Sequence, residues 1–408
     1  MIASAARSTA LRASTVSERT TLINPSGWLS EIFGGRKTAS GVKVDDQSTI
    51  GLSAIFDGIR LLAESEAQLP LKVLRKRPNG DTAAFTESPA FNLLYRRPNA
   101  YMDSFRMRKM MRKHAIFAGN AYAAIERNAR FDPVALWPLE PKRVTPVLRG
   151  NDVVYLVDGS MELGPDHMIH LVGYSENGYL GIPLISLAFE SLGHMIATER
   201  FGGRFFGNGA NISGIIKSKR FLKDQEAVDR VKKSFISQTT GMDNAMSVAL
   251  LEDDMSWERL GVAPEEAQFL GTKQFNITDV ARWLNIPVPM LKEMGRATFS
   301  NLEQLDLQFV KYSLMPNLVS AEMEYEYKLL TTAQFNNPDY SIKHNVKGLL
   351  RGDTATQAEW YRTMFQTGAY SPNKILRTLD EETYEGGDTH FVHSGAEPVQ
   401  SATMRPTT

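Results

Sequence analysis

The chain has 408 residues, 42% of them hydrophobic and 23% charged, an ordinary globular composition with room for two or three domains. Lys plus Arg equals Asp plus Glu at 46 each, which excludes a surface that grips nucleic acid everywhere but not one that lets it slide. There is no cysteine, so disulfides and thiolate chemistry are excluded, and seven histidines without cysteine argue against a structural zinc site.

Met1 to Leu22 carries Arg7, Arg12 and Arg19 with Glu18 as its one acid. That composition fits a disordered arm over residues 1–40, or, taken alone, a transit peptide. Trp28, Leu29, Ile32 and Phe33 form a short apolar patch in the arm, suited to docking on a partner. Asp45 to Leu69 reads as one helix with Ile55, Ile59, Leu62 and Ala63 on one face, ended by Pro70. Leu71–Lys76 alternates as a strand before a turn at Pro78–Asp81. A short helix follows Ser88 and stops before Pro98. Met102–Ala118 is a helix carrying Arg106, Arg108, Lys109, Arg112 and Lys113. DNA phosphates, solvent and a neighbouring subunit are all compatible partners for those cations. Strands at 121–127, 133–138, 143–148, 153–157 and 167–172 complete an α+β domain over 41–180.

The pattern then changes. Pro183–Phe206 is a long helix with proline in its first turn, and Gly202-Gly203 are expected to bend its end. A strand (214–217), an amphipathic helix (224–238) and strands at 247–251 and 255–260, around the acidic turn 252–254, make a compact insert. A second helix, 264–285, is expected to break at Gly271. So two helical limbs flank a small α/β insert. After a loop at 286–300, a helix over 301–330 is entered through a capping box at Ser300–Glu303 and kinked at Pro316. A strand at 340–345 returns to the first domain, and helices start at Asp353 and Ser371. No internal repeat is visible, and no run approaches the roughly 20 apolar residues of a membrane span.

The loop carries the most information. Connections usually run about 4–6 residues, and longer structured ones tend to be functional. This one has Pro287 and Pro289 to stiffen its start, Gly295 to loosen its middle, and Lys292, Glu293 and Arg296 beside Met294. Mixed charge suits a surface that meets phosphate and releases it. Other chemistry is thin. Gly34-Gly-Arg-Lys-Thr38 lacks the spacing of a phosphate cradle. His167/His170 and His390/His393 are three apart in extended sequence, which puts the side chains on opposite faces. Glu190 and His194, four apart on a helix, read as a surface or inter-subunit pair. Glu252, Asp253 and Asp254 could chelate magnesium, which keeps a metal-dependent nuclease as the alternative, although such enzymes gather carboxylates from separate elements. No cofactor is implied.

Several phrases in order resemble one family. They are Leu93-Leu-Tyr-Arg-Arg-Pro-Asn99, Phe117-Ala-Gly-Asn-Ala-Tyr122, Gly178-Tyr-Leu-Gly-Ile-Pro183, Phe205-Phe-Gly-Asn-Gly-Ala210, Val288-Pro-Met-Leu291 and Ala297-Thr-Phe-Ser-Asn301. Together, over residues 50–390, they are similar to the portal proteins of tailed double-stranded DNA bacteriophages of the long-tailed type. The resemblance implies an α+β portal fold: arm 1–40, α/β wing 41–180, helical stem 181–207 and 264–285, small α/β clip 208–263, tunnel loop 286–300, long kinked helix and wing return 301–350, short helical crown 351–393 and tail 394–408. It implies a homo-oligomeric ring of twelve subunits at one capsid vertex, with DNA passing through the channel in packaging and ejection. The implied partners are the terminase large subunit, major capsid and scaffold proteins and a head–tail adaptor, with no membrane and no enzymatic activity. The implied location is the virion, and the host cytoplasm during assembly. Lys292, Glu293, Met294, Gly295 and Arg296 would be the DNA-channel residues.

Overall fold

The computed structural model describes residues 38–78, 82–207, 214–218, 224–239, 255–259, 266–293, 299–346, 354–379 and 382–391. It has two compact units, one holding residues up to 298 together with 311–344, the other 299–310 and the chain from 345.

In the first unit the expected opening helix is two: α1 (Asp46–Ile50) and α2 (Ser53–Ala67). Asp45 and Ser48 close a capping box, and the single turn ends at Gly51, so the helix restarts at Ser53. Then come β1 (Leu71–Lys76), β2 (Thr82–Ala84), α3 (Pro89–Tyr95) and α4 (Ser104–Phe117), whose N-cap Asp103 accepts from the Arg106 amide. Six strands follow: β3 (Asn120–Arg127), β4 (Pro133–Leu139), β5 (Val144–Arg149), β6 (Asp152–Val157), β7 (Met161–Leu163) and β8 (Met168–Val172). Only the three-residue β7 was not foreseen. They form two antiparallel sheets, β4-β3-β8 and β5-β6-β7.

Buried Leu71, Val73, Leu94, Met107, Met111, Ile125, Leu136, Ile169, Tyr325 and Ile342 build one core beneath α3 and α4. Two of the phrases that carried the resemblance, 117–122 and 178–183, meet beside it. Gly119 has φ +74°, and a Cβ on Gly181 would sit 1.8 Å from the Gly119 carbonyl, so two backbones touch where only glycine fits. Asn120 clamps the contact: its Oδ1 accepts from the Gly181 amide at 2.8 Å and its Nδ2 donates to the Gly181 carbonyl at 2.8 Å. Asn99 is similarly bound, its Nδ2 donating to the Leu136 carbonyl at 2.8 Å.

The two limbs are present. A short helix, α5 (Leu184–Leu187), stops at Ala188 before α6 (Phe189–Gly207), so the first limb is split at its start. The insert shows β9 (Gly214–Lys217), α7 (Gln225–Thr239) and β10 (Ser256–Arg259), with β9 and β10 antiparallel. The strand expected at 247–251 and the acidic turn at 252–254 lie outside the described residues. The second limb, α8 (Glu266–Leu284), runs unbroken through Gly271, because one glycine costs a helix only about 1 kcal/mol. The limbs pack antiparallel: Ser191 on Asp279 at 3.0 Å, Glu199 on Lys273 at 3.1 Å, and Gly202 facing Phe269. Gly202 therefore admits the Phe269 ring, whose Cζ would lie 2.6 Å from an added Cβ, and the helix runs on through it to Gly207.

Where one helix was expected at 301–330, α9 (Phe299–Gln308) in the second unit is followed in sequence by a π-helical stretch, Phe309–Leu314, and by α10 (Met315–Leu329) in the first. Ser300 lies inside α9, so it is no N-cap. The kink assigned to Pro316 appears as the π turn just before it. A short α11 (Thr332–Phe335) leads to β11 (Tyr340–His344), which pairs antiparallel with β1, Val73 opposite Ile342. Thr38 is buried and the Ala39 amide donates to Glu190 Oε2 at 2.9 Å, so the arm expected over 1–40 is already packed at its last residues.

The second unit, besides α9, contains α12 (Thr354–Gln366) and α13 (Pro372–Leu379). Buried Asn373 folds the following segment back, donating to the Tyr384 carbonyl at 2.8 Å and accepting from the Tyr384 amide at 3.1 Å.

Candidate functional site

The first half of the loop is a built structure. Asn285 ends α8 in the left-handed conformation (φ +53°), a role asparagine tolerates. Val288–Leu291 is one 3-10 turn, closed by Met290 and Lys292 amides donating to the Pro287 and Pro289 carbonyls at 3.0 Å. Lys292 then turns left-handed (φ +62°). The turn sits on α2 at Gly58, where an added Cβ would meet Leu284 Cδ1 at 2.4 Å and Ile286 and Leu291 at 3.4 Å. From the other side, Asn285 Nδ2 donates to the Tyr312 carbonyl at 2.8 Å. That carbonyl lies four residues before Pro316, which has no N–H to offer it. The asparagine answers an acceptor that the proline leaves open.

Of the expected site residues, Lys292 and Glu293 are described; Met294, Gly295 and Arg296 lie outside the described residues. Lys292 is mostly exposed, yet its Nζ donates to Asp57 Oδ1 on α2 at 3.1 Å. Arg60 Nη2 reaches the same oxygen at 2.5 Å. Burial pushes the Asp57 carboxyl up, but the hydrogen bonds from Lys292 and Arg60 outweigh it and hold the group below the usual carboxylate range. Neither Asp57 nor Gly58 was legible as part of this site. Asn285, followed by Ile-Pro, did carry a helix-end signal.

The basic helix α4 is mostly spent inside the chain. Arg108 is buried and donates to the Leu94 and Ala67 carbonyls at 2.8 Å. Arg112 is buried against the Glu66 carboxylate, and donates to Asn317 Oδ1 at 3.1 Å and to the Asn317 carbonyl at 2.8 Å. Lys109 pairs with Glu64 at 2.5 Å and Arg106 with Asp103 at 3.3 Å, while Lys113 is exposed. Of the three partners open to these cations, Arg108 and Arg112 take none: they form a joint between α2, α4 and α10.

The histidines are structural where described. His170 stacks on Tyr122 with ring centroids 4.5 Å apart. Its Nδ1 lies 3.4 Å from Tyr155 Oη and its Nε2 3.0 Å from Asn120 Oδ1, which suits the neutral ring with its proton on Nε2. Burial, with Lys328 nearby, pushes His170 down to about 3. In the unfolded chain it titrates near ~6.5, so between these values the unfolded state binds the extra proton. Stability is then complete above pH ~6.5 and falls with acidification by up to about 1.4 kcal/mol per pH unit from this group. Half-buried His114 is lowered too, chiefly by desolvation, and pulls the same way. Urea titrations at pH 7 and pH 5 are expected to show the loss, and His170→Gln to shrink the difference between them. Glu190 and His194 do not pair; His194 Nδ1 lies 3.3 Å from Asn276 Oδ1. Among the described residues no three His, Asp or Glu side chains gather to hold a metal ion. No described helix is long and apolar enough to cross a membrane.

An α/β body, two antiparallel helical limbs around a small insert, and a proline-stiffened loop lead to one class of protein. The fold is that of solved portal and neck proteins of phages and phage-like particles. A crystal structure of an HK97 family phage portal protein from Corynebacterium diphtheriae superposes with TM-score 0.58 at 17% identity, over 78% of this chain and 98% of that one. A chain in the neck of a native gene transfer agent particle, computed with C12 symmetry, gives TM-score 0.53 at 19% identity, over 88% and 99%. The family model for the phage portal protein matches residues 53–380, and the chain belongs to that family. It is 28% identical to the portal protein of Enterobacteria phage HK97 over 87% of this chain and 85% of that one. It is 27% identical to the probable portal protein of Streptomyces phage phiC31 over 85% and 78%.

Proposed function

We propose that copies of this chain close into a ring of about twelve subunits around a channel at one capsid vertex. Double-stranded DNA passes through it in packaging and ejection, and the segment 286–300 lines its narrow part. The observation that carries this reading is the family match over residues 53–380, with relatives aligned along most of their own length. The C12 neck containing a chain of the same fold supports the subunit number. In this reading 41–180 is the wing, 181–207 and 264–285 the stem, 208–263 the clip, 301–350 the long helix and wing return, and 351–393 the crown. The arm 1–40 and tail 394–408 flank them. The ring is held in the virion, assembles in the host cytoplasm, and meets capsid, scaffold and head–tail adaptor proteins. A separate terminase hydrolyses ATP, and this chain has no catalytic role. No observation favours the alternative nuclease at Glu252, Asp253 and Asp254.

The surface supports a ring. On α10 and the turn before it, Tyr312, Val319, Met323 and Tyr327 are spaced by seven, four and four residues and are exposed, Met323 at 62% and Tyr327 at 57%. A solvent-facing helix side is normally charged. Leu270, Phe275 and Trp283 are likewise exposed on α8. The loop is tested by charge: Arg296→Glu together with Lys292→Glu is expected to leave ring assembly intact and to reduce packaged or retained DNA severalfold. Full genomes at normal yield in such particles would reduce the segment to a connector.

A further inference from the structure

We propose that Asp57 is a built-in competitor for DNA: it holds Lys292 in the resting ring, and a passing phosphate takes Lys292 from it. The inference rests on the reading that 286–300 lines the channel. Three observations carry it. First, the pair is asymmetric: the Lys292 side chain is 73% exposed and the Asp57 side chain 18%, so the cation can leave while the anion stays. Second, Arg60 Nη2 occupies the same Oδ1 at 2.5 Å, so the carboxylate keeps a counter-charge after Lys292 goes. Third, the lysine is aimed by its backbone. The 3-10 turn Val288–Leu291 packed at Gly58 and the left-handed Lys292 hold it beside Asp57 on α2.

An exposed ion pair contributes little, so exchanging one oxyanion for another is nearly neutral. The consequence is on DNA. Each lysine free to neutralise a phosphate steepens the fall of affinity with salt by roughly 0.9 in log–log slope. A ring of lysines already answered by carboxylates releases DNA more readily than a ring of free ones.

The test is binding of a short duplex DNA to the assembled full-length ring between about 50 and 200 mM salt, the range over which phosphate contacts are resolved. Asp57→Asn is expected to raise affinity about threefold or more and to steepen the slope by about 1 or more. Lys292→Gln should lower affinity and flatten the slope, and the double variant should behave as Lys292→Gln alone. Asp57→Ser, which brings no amide beside Arg60, serves as a second variant with the same expected rise. If Lys292→Gln weakens binding while both Asp57 variants match the wild type, the competitor role is wrong and the channel reading stands. If Lys292→Gln leaves binding unchanged, Lys292 does not meet DNA and both fail.

Discussion

Glu66→Ala is expected to destabilise the first unit by about 3–5 kcal/mol, the scale for removing one partner of a buried ion pair. Glu66 is fully buried, and Arg112 and Arg108 are 4% and 6% exposed. Without the carboxylate, Arg112 would keep only its bonds to Asn317, and Arg108, which bonds two carbonyls, would lose one of the acids that favour its charge. The loss is large against a typical total of about 5–15 kcal/mol. It should also loosen α10, since Asn317 lies on that helix next to Pro316 and donates back to the Ser313 carbonyl at 2.7 Å. Glu66→Gln, which keeps the shape, should cost less. The measure is the urea midpoint and slope at pH 7; a change under about 1 kcal/mol for Glu66→Ala would mean the joint is solvated or redundant.

The second large effect is on assembly. Met323→Glu and Tyr327→Glu each place a charge in the middle of the exposed stripe on α10, while the opposite side, with Leu318, Ala321, Tyr325 and Leu329, stays buried in the core. Both side chains are more than half exposed in one chain, and the ring contact of Tyr327 with Phe335 is the contact at risk, so the folding stability of the chain itself should fall by no more than about 1.5 kcal/mol. At a subunit contact, central apolar anchors contribute about 2 kcal/mol or more each, and a ring repeats the loss at every interface. The double variant is therefore expected to run as a folded monomer in light scattering, with the far-UV circular dichroism of the wild type and a lower melting temperature, because the stabilisation from assembly is lost. Rings of normal size from it would show that the stripe faces solvent or another partner.

Much of the fold could be read from the chain because the signals were local. Alternation and turn residues give β3 to β6, and period and caps give α3, α4, α7 and α13. Two helices around an insert are legible as an order of elements in the residues themselves. The misreadings came from tertiary competition. Gly271 and Gly202 look like breaks, but packing between the limbs keeps α6 and α8 helical, and Gly202 makes room for Phe269. Gly51 was silent inside a helical pattern, yet a one-turn helix capped by Asp45 ends there. The cations of α4 looked available because their acceptors, Glu66, Asn317 and the Leu94 carbonyl, come from elements that sequence spacing does not bring together. The same holds for the site. Its prolines and charges were legible; the Asp57 carboxylate that meets Lys292 lies 235 positions away and carries no mark in the sequence.

The most direct test of the account is single-particle electron microscopy of the purified full-length protein, viewed down its axis. Closed rings with a central opening are expected, about twelve copies of the 45.5 kDa chain and roughly half a megadalton in mass. Particles of 45.5 kDa alone, at every protein and salt concentration tried, would contradict it.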